Sequence, residues 1–467
     1  MTRSTTSTPS PARDAIPGQE PGPAGESPRD RAAARRRLPL PRELVERDGC
    51  PFDPPAALDR MHEQSPVTPV QLLKGARVWM VTGFEEARSV LSDPRFSADR
   101  FRHPGALQRA RQSSAISDEV REKLFDERRR VGSFISMDPP EHTRYRGLLT
   151  GQFTVRRMRA LEPRIREIAV EHIAAMRAAG TEADLVTAFA LPLPSLVICE
   201  LLGVAYADRA QFQERTAKLL RFDTPIEEAL AVGEALREFM QSLVTGKREQ
   251  PGDDMLSGLV HGEADPPLSD DELINIATLL LVAGHETTAN MLGLGTFALL
   301  EHPDQLDALR AHPELIDGAI EELLRYLSIV HFGLSRVATE EVELAGQRIP
   351  AGATVMISLP EANRDAAQWV EPDRLDLSRE RGPHLAFGHG VHQCLGQQLA
   401  RVEMRIGFSE LLAHLPGLRL TVPAEQVPLR SDMLIYGVHA LPVAWDPAPV
   451  PTQLSLDPPT GCGSSCS

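Results

Sequence analysis

A single cysteine, Cys394, lies in a glycine-rich loop with the sequence FGHGVHQCLG over residues 387–396. Gly388, Gly390 and Gly396 allow the backbone to turn tightly and to approach a flat group that a Cβ atom would obstruct. The residues that follow, LGQQLARVEMRIGFSELLAHL, have the apolar periodicity of an amphipathic helix. A thiol just before a helix ionises more easily, because the helix dipole and free N–H groups favour the thiolate. The loop therefore suits an axial thiolate ligand to iron.

Two other interpretations of this loop stay open. His384, His389 and His392 lie close enough in sequence to Cys394 to suggest zinc, since imidazole and thiolate are its usual ligands. Their spacing fits no common zinc finger, however, and tetrahedral zinc does not need glycines in the loop. A single buried cysteine is also often only a small apolar residue. From the loop alone, haem ranks ahead of zinc, and an inert cysteine ranks third.

A second chemical segment, AGHETT over residues 283–288, lies inside a long apolar-periodic stretch. Gly284 costs about 1 kcal/mol relative to alanine at mid-helix, so its presence needs a reason, and a groove for dioxygen beside iron is one. Thr287 places a hydroxyl in the same region, and Glu286, turned about 100° around the axis, is placed to relay protons from solvent. The alternative is that Thr287 and Thr288 only bond to carbonyls of the preceding turn. If this segment is judged by itself, the bonding of the threonines to the preceding turn is the preferred interpretation. The presence of Cys394 in the same chain favours the functional interpretation instead.

The elements that must position these residues are mostly helices. Ser269 and Glu272 form a capping-box signature, and the apolar period that follows runs to His302, where Pro303 ends it. A helix of this length spans about 45 Å and has to be central. Residues 156–179 predict another helix that stops at Gly180. Strand patterns are local, at 70–73, 78–81 and 342–357, so the sequence predicts a mainly α fold with a small β region.

Composition limits the class of protein. The 467 residues include 50 Lys plus Arg and 65 Asp plus Glu, for a net charge of −15, which argues against nucleic-acid binding. The longest clean apolar run, 276–284, is about half of a membrane span. Five cysteines do not make a disulfide framework, and the N-terminus lacks the apolar core of a secretion signal. The chain is predicted to be cytoplasmic, without membrane or nucleic-acid partners.

The predicted organisation has three parts. Residues 1–38 are rich in Ser, Thr, Pro, Gly, Arg and Ala and are expected to form a disordered arm. Residues 39–446 contain no linker and no internal repeat, which indicates one large compact domain. Residues 447–467, which include Cys462 and Cys466, are expected to form a disordered tail.

These motifs together resemble the cytochrome P-450 superfamily, in particular its soluble bacterial, actinomycete-type members. The family signature Phe-x-x-Gly-x-x-x-Cys-x-Gly is matched by Phe387, Gly390, Cys394 and Gly396. The resemblance extends over about residues 40–445. It implies the cytochrome P-450 fold, a triangular helical prism around a buried haem b with a long central helix, and it implies Cys394 as the iron ligand.

The resemblance also implies roles for residues outside the cysteine loop. Glu322 and Arg325 match a buried family pair that braces the ligand loop and is completed by a later arginine, by position Arg374. The remaining cofactor-binding positions lie around the haem and its propionates: His142, Arg146, Ala283, Gly284, Arg336, Phe387, His392 and Gly396.

The implied activity is a monooxygenase reaction, in which dioxygen and two electrons give a hydroxylated or epoxidised organic substrate and water. Thr287 and Glu286 are the implied catalytic pair, because they would manage the protons. Similarity to the actinomycete branch points to secondary-metabolite biosynthesis or xenobiotic oxidation. The alternatives are a haem-thiolate nitric oxide reductase, an oxidative coupling enzyme or a non-catalytic metal-binding protein; the Glu286–Thr287 pair argues against the reductase.

The expected partners are a separate ferredoxin and ferredoxin reductase, because the chain has no flavin or nicotinamide fingerprint and no cluster-spaced cysteines. Arg144, Arg146 and Arg401 are candidates for contact with an acidic ferredoxin, and the protein is expected to be a monomer. A lid is expected over 205–235. The expected substrate-pocket residues are Val282, Val330, His331 and Phe332, with Tyr436 and the loop 101–134 nearby.

Overall fold

The computed structural model describes residues 41–47, 49–72, 77–100, 117–205, 209–221, 224–331 and 334–447. The predicted arm at 1–38 lies outside the described residues, as do the tail from 448 onward, Phe332 and most of the first half of the 101–134 loop. What the sequence predicts for those segments stays a prediction.

Helices form most of the described chain, as predicted. They are α1 Ala56–Gln64, α2 Phe84–Ser92, α3 Asp118–Phe125, α4 Glu141–Thr150, α5 Val155–Ala160, α6 Glu162–Ala179, α7 Pro192–Leu202, α8 Arg209–Leu220, α9 Ile226–Glu249, α10 Met255–Val260, α11 Asp270–Glu301, α12 Pro303–Ala311, α13 Ile316–Leu327, α14 Leu359–Ala362 and α15 Gln397–His414. A π-helical turn, Val186–Ala190, precedes α7.

The strands are short and form three small sheets. They are β1 Val67–Gln71, β2 Arg77–Val81, β3 Phe96–Ser97, β4 Glu182–Asp184, β5 Ser335–Ala338, β6 Val342–Leu344, β7 Gln347–Ile349, β8 Thr354–Ile357, β9 Arg419–Leu420 and β10 Pro442–Ala444. The largest sheet has the order β1-β2-β8-β5-β3, in which only β2 and β8 run parallel. The strand patterns at 78–81 and 342–357 are confirmed, whereas the first strand starts at Val67, earlier than its apolar run suggested.

Helix α11 is the central element, as its length predicted. The Ser269 side chain accepts a hydrogen bond from the Glu272 backbone, and the Glu272 side chain accepts one from the Ser269 backbone, so the capping box is present. The helix ends at Glu301, and Pro303 begins α12. Its 32 residues span about 48 Å at 1.5 Å per residue. Most of them are buried, and many of the apolar ones belong to the largest apolar core, together with residues of α6, α7, α13 and α15.

The single helix predicted over 156–179 is divided into α5 and α6. Leu161 ends α5, and Pro163 follows in the first turn of α6. Proline has no N–H group for the helical ladder, but it is well tolerated in the first turn of a new helix. The predicted end at Gly180 is confirmed.

Helices α11 and α15 pack closely through glycines on both sides. A Cβ atom on Gly295 would lie 2.7 Å from the ring of Phe408, and one on Gly407 would lie 2.7 Å from Leu292. Cβ atoms in proteins essentially never approach other atoms closer than 3 Å, so a larger residue at either position would have to displace the facing side chain. The helix that follows Cys394 is therefore fixed against the central helix by reciprocal small-residue contacts.

A buried carboxyl group on α15 makes the stability of the fold pH-dependent. Glu403 is 1% exposed, and burial raises its pKa from 4.5 to about 8, although a hydrogen bond with Thr288 opposes the rise. The pKa of Glu403 is higher in the folded protein than in the unfolded chain, so the protonated carboxyl group favours the folded state. This contribution to the free energy of unfolding is complete below pH 4.5 and is lost as the pH rises toward 8.

Glu403→Gln is therefore expected to flatten the pH dependence of unfolding. Between pH 5 and pH 7.5 the wild-type free energy of unfolding should fall relative to that of the variant by on the order of 3 kcal/mol, at 1.36 kcal/mol per pH unit. Urea denaturation at both pH values measures this double difference. Glu301→Gln, at an exposed position, is the control; equal pH slopes for wild type and Glu403→Gln would contradict the assignment.

No helix of the described segments combines the length and the apolar character needed to cross a lipid bilayer.

Candidate functional site

The cysteine loop is a tight turn in which two of the three glycines are conformationally required. Gly388 and Gly390 have φ values of 69° and 71°, in the left-handed region that favours glycine. A Cβ atom on Gly390 would also lie 2.5 Å from the carbonyl oxygen of Leu91. Gly396 differs: its φ of −82° is open to any residue, and it caps the N-terminus of α15. The tight turn is thus confirmed at Gly388 and Gly390, whereas the close approach of Gly396 to a flat group stays a prediction.

The thiol of Cys394 lies at the start of α15, and its backbone N–H donates to the Phe387 carbonyl oxygen at 2.9 Å. The residue is exposed to solvent, yet protein surrounds the thiol on most sides. This desolvation raises the pKa of the thiol, while the backbone N–H groups of Gly396 and Gln397 and the charge of Arg146 oppose the rise. The helix start favours the thiolate as predicted, but desolvation outweighs it. A thiol in such surroundings ionises when it coordinates a metal.

Four basic side chains predicted to share one role lie near one another. The imidazole rings of His142 and His392 have centroids 4.2 Å apart. Burial and the charge of Arg336 lower the pKa of His392 to about 3. Arg146 donates from Nη2 to the carbonyl oxygen of Gln393 at 2.6 Å, directly before Cys394.

Within the described residues, two of these side chains have few hydrogen-bond acceptors. His142 is 2% exposed, and neither of its ring nitrogens has a hydrogen-bond partner. The guanidinium of Arg336 is buried, and it donates to the carbonyl oxygen of Ser335, its own neighbour in sequence. Burial lowers the pKa of Arg336 to about 10, and Asp138 opposes that change. Buried polar groups in proteins are normally satisfied, so this cluster fits an anionic group such as a pair of carboxylates.

The middle of α11 has an accessible stripe within an otherwise buried helix. Ala283 is exposed, and Val282, Gly284 and Thr287 are partly exposed. The Thr287 hydroxyl donates to the Ala283 carbonyl oxygen at 2.8 Å, which is the back-bonding that the alternative interpretation described. A Cβ atom on Gly284 would lie 3.0 Å from Cδ1 of Ile198, so the absent side chain lets α7 approach α11. A dioxygen groove at Gly284 stays a prediction.

Glu286 does not share that stripe. It is 3% exposed, and its Oε2 lies 3.0 Å from Nη2 of Arg430. Asn290 donates to the Glu286 carboxylate at 3.3 Å and accepts from Arg430 at 3.2 Å. Sequence reasoning missed Arg430 and Asn290. No local signal could have found Arg430, which lies far along the chain in an irregular segment.

The predicted Glu322–Arg325 pair is confirmed, but its predicted third member is wrong. Both side chains are nearly inaccessible and form two hydrogen bonds, at 2.8 and 2.9 Å. Arg379, not Arg374, completes the pair, since its Nε donates to Glu322 Oε1 at 3.1 Å. Arg374 is 59% exposed and faces Glu371 at 3.6 Å; only its backbone carbonyl takes part, accepting from Arg325. Sequence position alone pointed to Arg374. The chain turns back on itself between Arg374 and Arg379, however, and this turn brings Arg379 to Glu322.

The ligand set for the zinc alternative is not assembled. His384 contacts Glu321 at 3.0 Å, and His392 packs against His142 with the two rings tilted. Across the described ranges, no three His, Cys, Asp or Glu side chains are grouped to hold a metal ion.

The arginines expected to face a ferredoxin have acidic partners within the chain. Arg144 pairs with Glu272 at 2.6 Å, and Arg401 pairs with Glu321 at 2.6 Å. Arg146 belongs to the basic cluster described above. These contacts reduce the free positive charge near Cys394.

The predicted pocket residues are only partly accessible. His331 is 1% exposed, and its Nε2 lies 2.8 Å from the Met433 carbonyl oxygen. Val330 is partly exposed and forms a β-bridge with Ile435. His331 therefore has a structural contact that the sequence did not reveal.

A family model for cytochrome P450 matches residues 204–434. Cytochrome P450-SU2 of Streptomyces griseolus is 48% identical over 398 residues, which are 85% of this chain and 95% of that protein. The chain belongs to the cytochrome P450 family. Pentalenic acid synthase of Streptomyces avermitilis is 47% identical over 397 residues, covering 85% of this chain and 95% of that protein. The crystal structure of Rif16 in complex with R-L is 57% identical, covers 87% of this P450 and 100% of that chain, and has a TM-score of 0.76.

Family membership confirms the fold class and the reaction class. The protein has the P450 fold, mainly helical with a small β region, and is a monooxygenase that uses O2 and a small-molecule substrate. Its cofactor is haem, with iron and an axial cysteine thiolate. The orphaned nitrogens of His142, the buried guanidinium of Arg336 and the thiol of the exposed residue Cys394 before α15 fit this group in chemistry. The alternative functions receive no support.

Proposed function

We propose that Cys394 is the axial thiolate ligand and that the basic cluster holds the haem propionates. The observation that carries this proposal is the concentration of buried, acceptor-poor basic side chains, above all His142, beside the residue that precedes Cys394. Arg146 and Arg336 would hold the carboxylates through their planar forks, and His142 and His392 would donate ring N–H groups. Phe387 and Gly396 border the thiolate at either end of the turn, and Ala283 and Gly284 lie on the accessible stripe of α11.

Haem iron, when bound, supplies the activation of O2 and the transfer of one oxygen atom to the substrate. The chain itself orients the substrate, excludes bulk water and moves protons. In this proposal Thr287 would present its hydroxyl from the accessible stripe, and Glu286 would resupply its proton. Val282, Val330 and His331 are the described candidates for the substrate walls.

The proposed reaction is hydroxylation or epoxidation of an organic substrate in secondary metabolism or xenobiotic oxidation. The similarity to pentalenic acid synthase supports a role in secondary metabolism. Electrons would come from a separate ferredoxin and its reductase. The exposed Val391 in the cysteine loop, 53% accessible, offers an apolar contact for such a partner. We further propose that the protein is cytoplasmic, which the low cysteine content supports, and that it is a monomer.

The test of this proposal is the reduced-minus-CO difference spectrum of the purified holoenzyme, followed by substrate screening with a surrogate ferredoxin system. We expect the red-shifted band of a thiolate-bound haem and a product that contains one atom of oxygen from O2. A spectrum typical of a nitrogen-ligated haem would overturn the assignment of the ligand.

Thr287→Ala is expected to keep the haem spectrum but to release its electrons as peroxide. Removal of a proton donor of this kind lowers the rate of the catalysed step by about 10²-fold, so product per electron pair should fall sharply while cofactor oxidation continues. Peroxide and product are measured together. Thr287→Ser, which retains the hydroxyl, is the matched control, and fully coupled turnover by Thr287→Ala would contradict the proton role.

A further inference from the structure

Arg401 on α15 contacts both ends of the turn that carries Cys394. Its guanidinium carbon lies 4.6 Å from the centroid of the Phe387 ring, at the start of the turn. Its Nη1 donates to the backbone carbonyl oxygen of Gln397 at 3.3 Å and to the side-chain oxygen of Gln397 at 3.1 Å. Gln397 is the first residue of α15. One side chain therefore joins the two segments between which Cys394 lies.

The two residues that Arg401 contacts both hold Cys394 through their backbone groups. The Cys394 N–H donates to the Phe387 carbonyl oxygen at 2.9 Å, and the Gln397 N–H hydrogen-bonds with the Cys394 sulfur. Desolvation raises the pKa of the thiol, and the charge of Arg401 and the Gln397 N–H both oppose that rise. Arg401 therefore acts on the sulfur in two ways, through the position of its neighbours and through its own charge.

Glu321 on α13 fixes the Arg401 guanidinium in this place. Nε of Arg401 lies 2.6 Å from Oε1 of Glu321, and Nη2 lies 2.9 Å from Oε2, so the contact uses both carboxylate oxygens. A paired contact of this kind fixes the plane of the guanidinium as well as its position. Burial alone would raise the pKa of Glu321, but the hydrogen bonds from Arg401 and His384 outweigh it and lower the pKa to about 2. The carboxylate is therefore charged at neutral pH.

His384 connects this contact to the chain segment before the turn. Its Nδ1 accepts from the Ala386 N–H at 3.2 Å, so the ring proton is on Nε2, which donates to Glu321 Oε2 at 3.0 Å. Ala386 directly precedes Phe387. The contacts thus form a closed ring that runs through Arg401, Glu321 and His384 and back to the start of the turn.

We infer that Arg401 is a positioning residue for the iron ligand: held by Glu321 and His384, it braces both ends of the turn and raises the reduction potential of the holoenzyme. The inference rests on the proposed role of Cys394. A fixed cation beside a thiolate stabilises negative charge on sulfur and lowers its electron donation. It therefore favours the reduced state, which carries one electron more than the oxidised state. That electron comes from the proposed ferredoxin, and Arg401 itself exchanges neither an electron nor a proton.

Arg401→Gln tests this role by the reduction potential of the purified holoenzyme, measured by dye-coupled titration without a redox partner. The variant removes the cation and the paired contact, and it leaves the negative charge of Glu321 unbalanced. We expect the ratio of reduced to oxidised protein at a fixed solution potential to fall about three- to tenfold. Arg401→Lys retains the charge but lacks the planar fork, so it should shift the potential in the same direction by a smaller amount.

Arg405→Gln is the matched control, because it also removes an arginine of α15 that pairs with a glutamate. The Arg405 side chain is 31% exposed, compared with 27% for Arg401, but its partner is Glu162 on α6. The change in net charge is the same in both variants, so a nonspecific effect of charge would shift both potentials equally. We expect the potential of Arg405→Gln to equal that of wild type.

An ion pair that only stabilises the fold would give a different result. Urea denaturation would then show a lower free energy of unfolding for Arg401→Gln, while its reduction potential stayed at the wild-type value, and this outcome overturns the inference. Equal shifts of the potential in Arg401→Gln and Arg405→Gln overturn it as well. If Arg401→Gln binds no haem, Arg401→Lys decides, since a wild-type potential in that variant contradicts the need for the planar fork.

The CO difference spectrum separates this inference from the proposed function. If wild type shows the band of a thiolate-bound haem and the Arg401 variants keep the wild-type potential, the inference fails and the proposed function stands. If wild type lacks that band, the proposed function itself fails.

Discussion

Cys394→Ser is expected to lose the CO difference band of a thiolate-bound haem, and product formation should fall to background. A serine oxygen does not replace the electron donation of sulfur to iron, and that donation favours cleavage of the O–O bond. The tight turn should survive, because it depends on the left-handed conformations of Gly388 and Gly390 and on the Cys394 backbone N–H, none of which the substitution removes. Reduced-minus-CO spectra and product analysis measure the two effects.

Cys50→Ser is the matched control for that experiment. Cys50 is exposed, like Cys394, but lies in the N-terminal segment before α1. The control should keep both the spectrum and the activity. An unchanged CO band in Cys394→Ser would mean that sulfur from another residue binds the iron.

Glu322→Gln is expected to cost about 3–5 kcal/mol of folding free energy, because it leaves a buried guanidinium without its charged partner. The Arg325 side chain is 1% exposed and also donates to the carbonyl oxygens of Asn363 and Pro372. Those acceptors belong to the irregular segment that leads to the cysteine loop, so little haem should be incorporated. Urea denaturation and the ratio of haem to protein measure the loss.

Two arginine variants serve as controls and test the corrected assignment. Arg374→Gln should be within about 0.5 kcal/mol of wild type, as is usual for an exposed position. Arg379→Gln should be measurably destabilised, since it removes one hydrogen bond to Glu322. The reverse order of these two effects would restore Arg374 as the third member of the pair.

Features with local causes could be predicted from the sequence. The ends of α11 follow from the Ser269–Glu272 capping box and Pro303, and the Glu322–Arg325 pair follows from a spacing of three on one helix. The turn before Cys394 follows from its glycines. Each of these needs only residues within a few positions of one another.

Features that depend on packing between distant segments could not be predicted. The partner of Glu286, Arg430, is brought in by a hairpin near the C-terminal end, and no periodicity marks it. Arg379, and not Arg374, contacts Glu322 because an irregular loop brings Arg379 to that carboxylate. The contact of His331 with the Met433 carbonyl oxygen also depends on tertiary structure, and its pocket role stays a prediction. Gly284 shows the same limit, since its neighbour Ile198 belongs to another helix.

The reciprocal glycine contacts between α11 and α15 have a consequence for protein engineering. A larger residue at either glycine would have to displace the ring of Phe408 or the side chain of Leu292, which already lie against these positions. Directed evolution toward new compounds is therefore expected to tolerate change at positions 295 and 407 less well than in the surrounding segments.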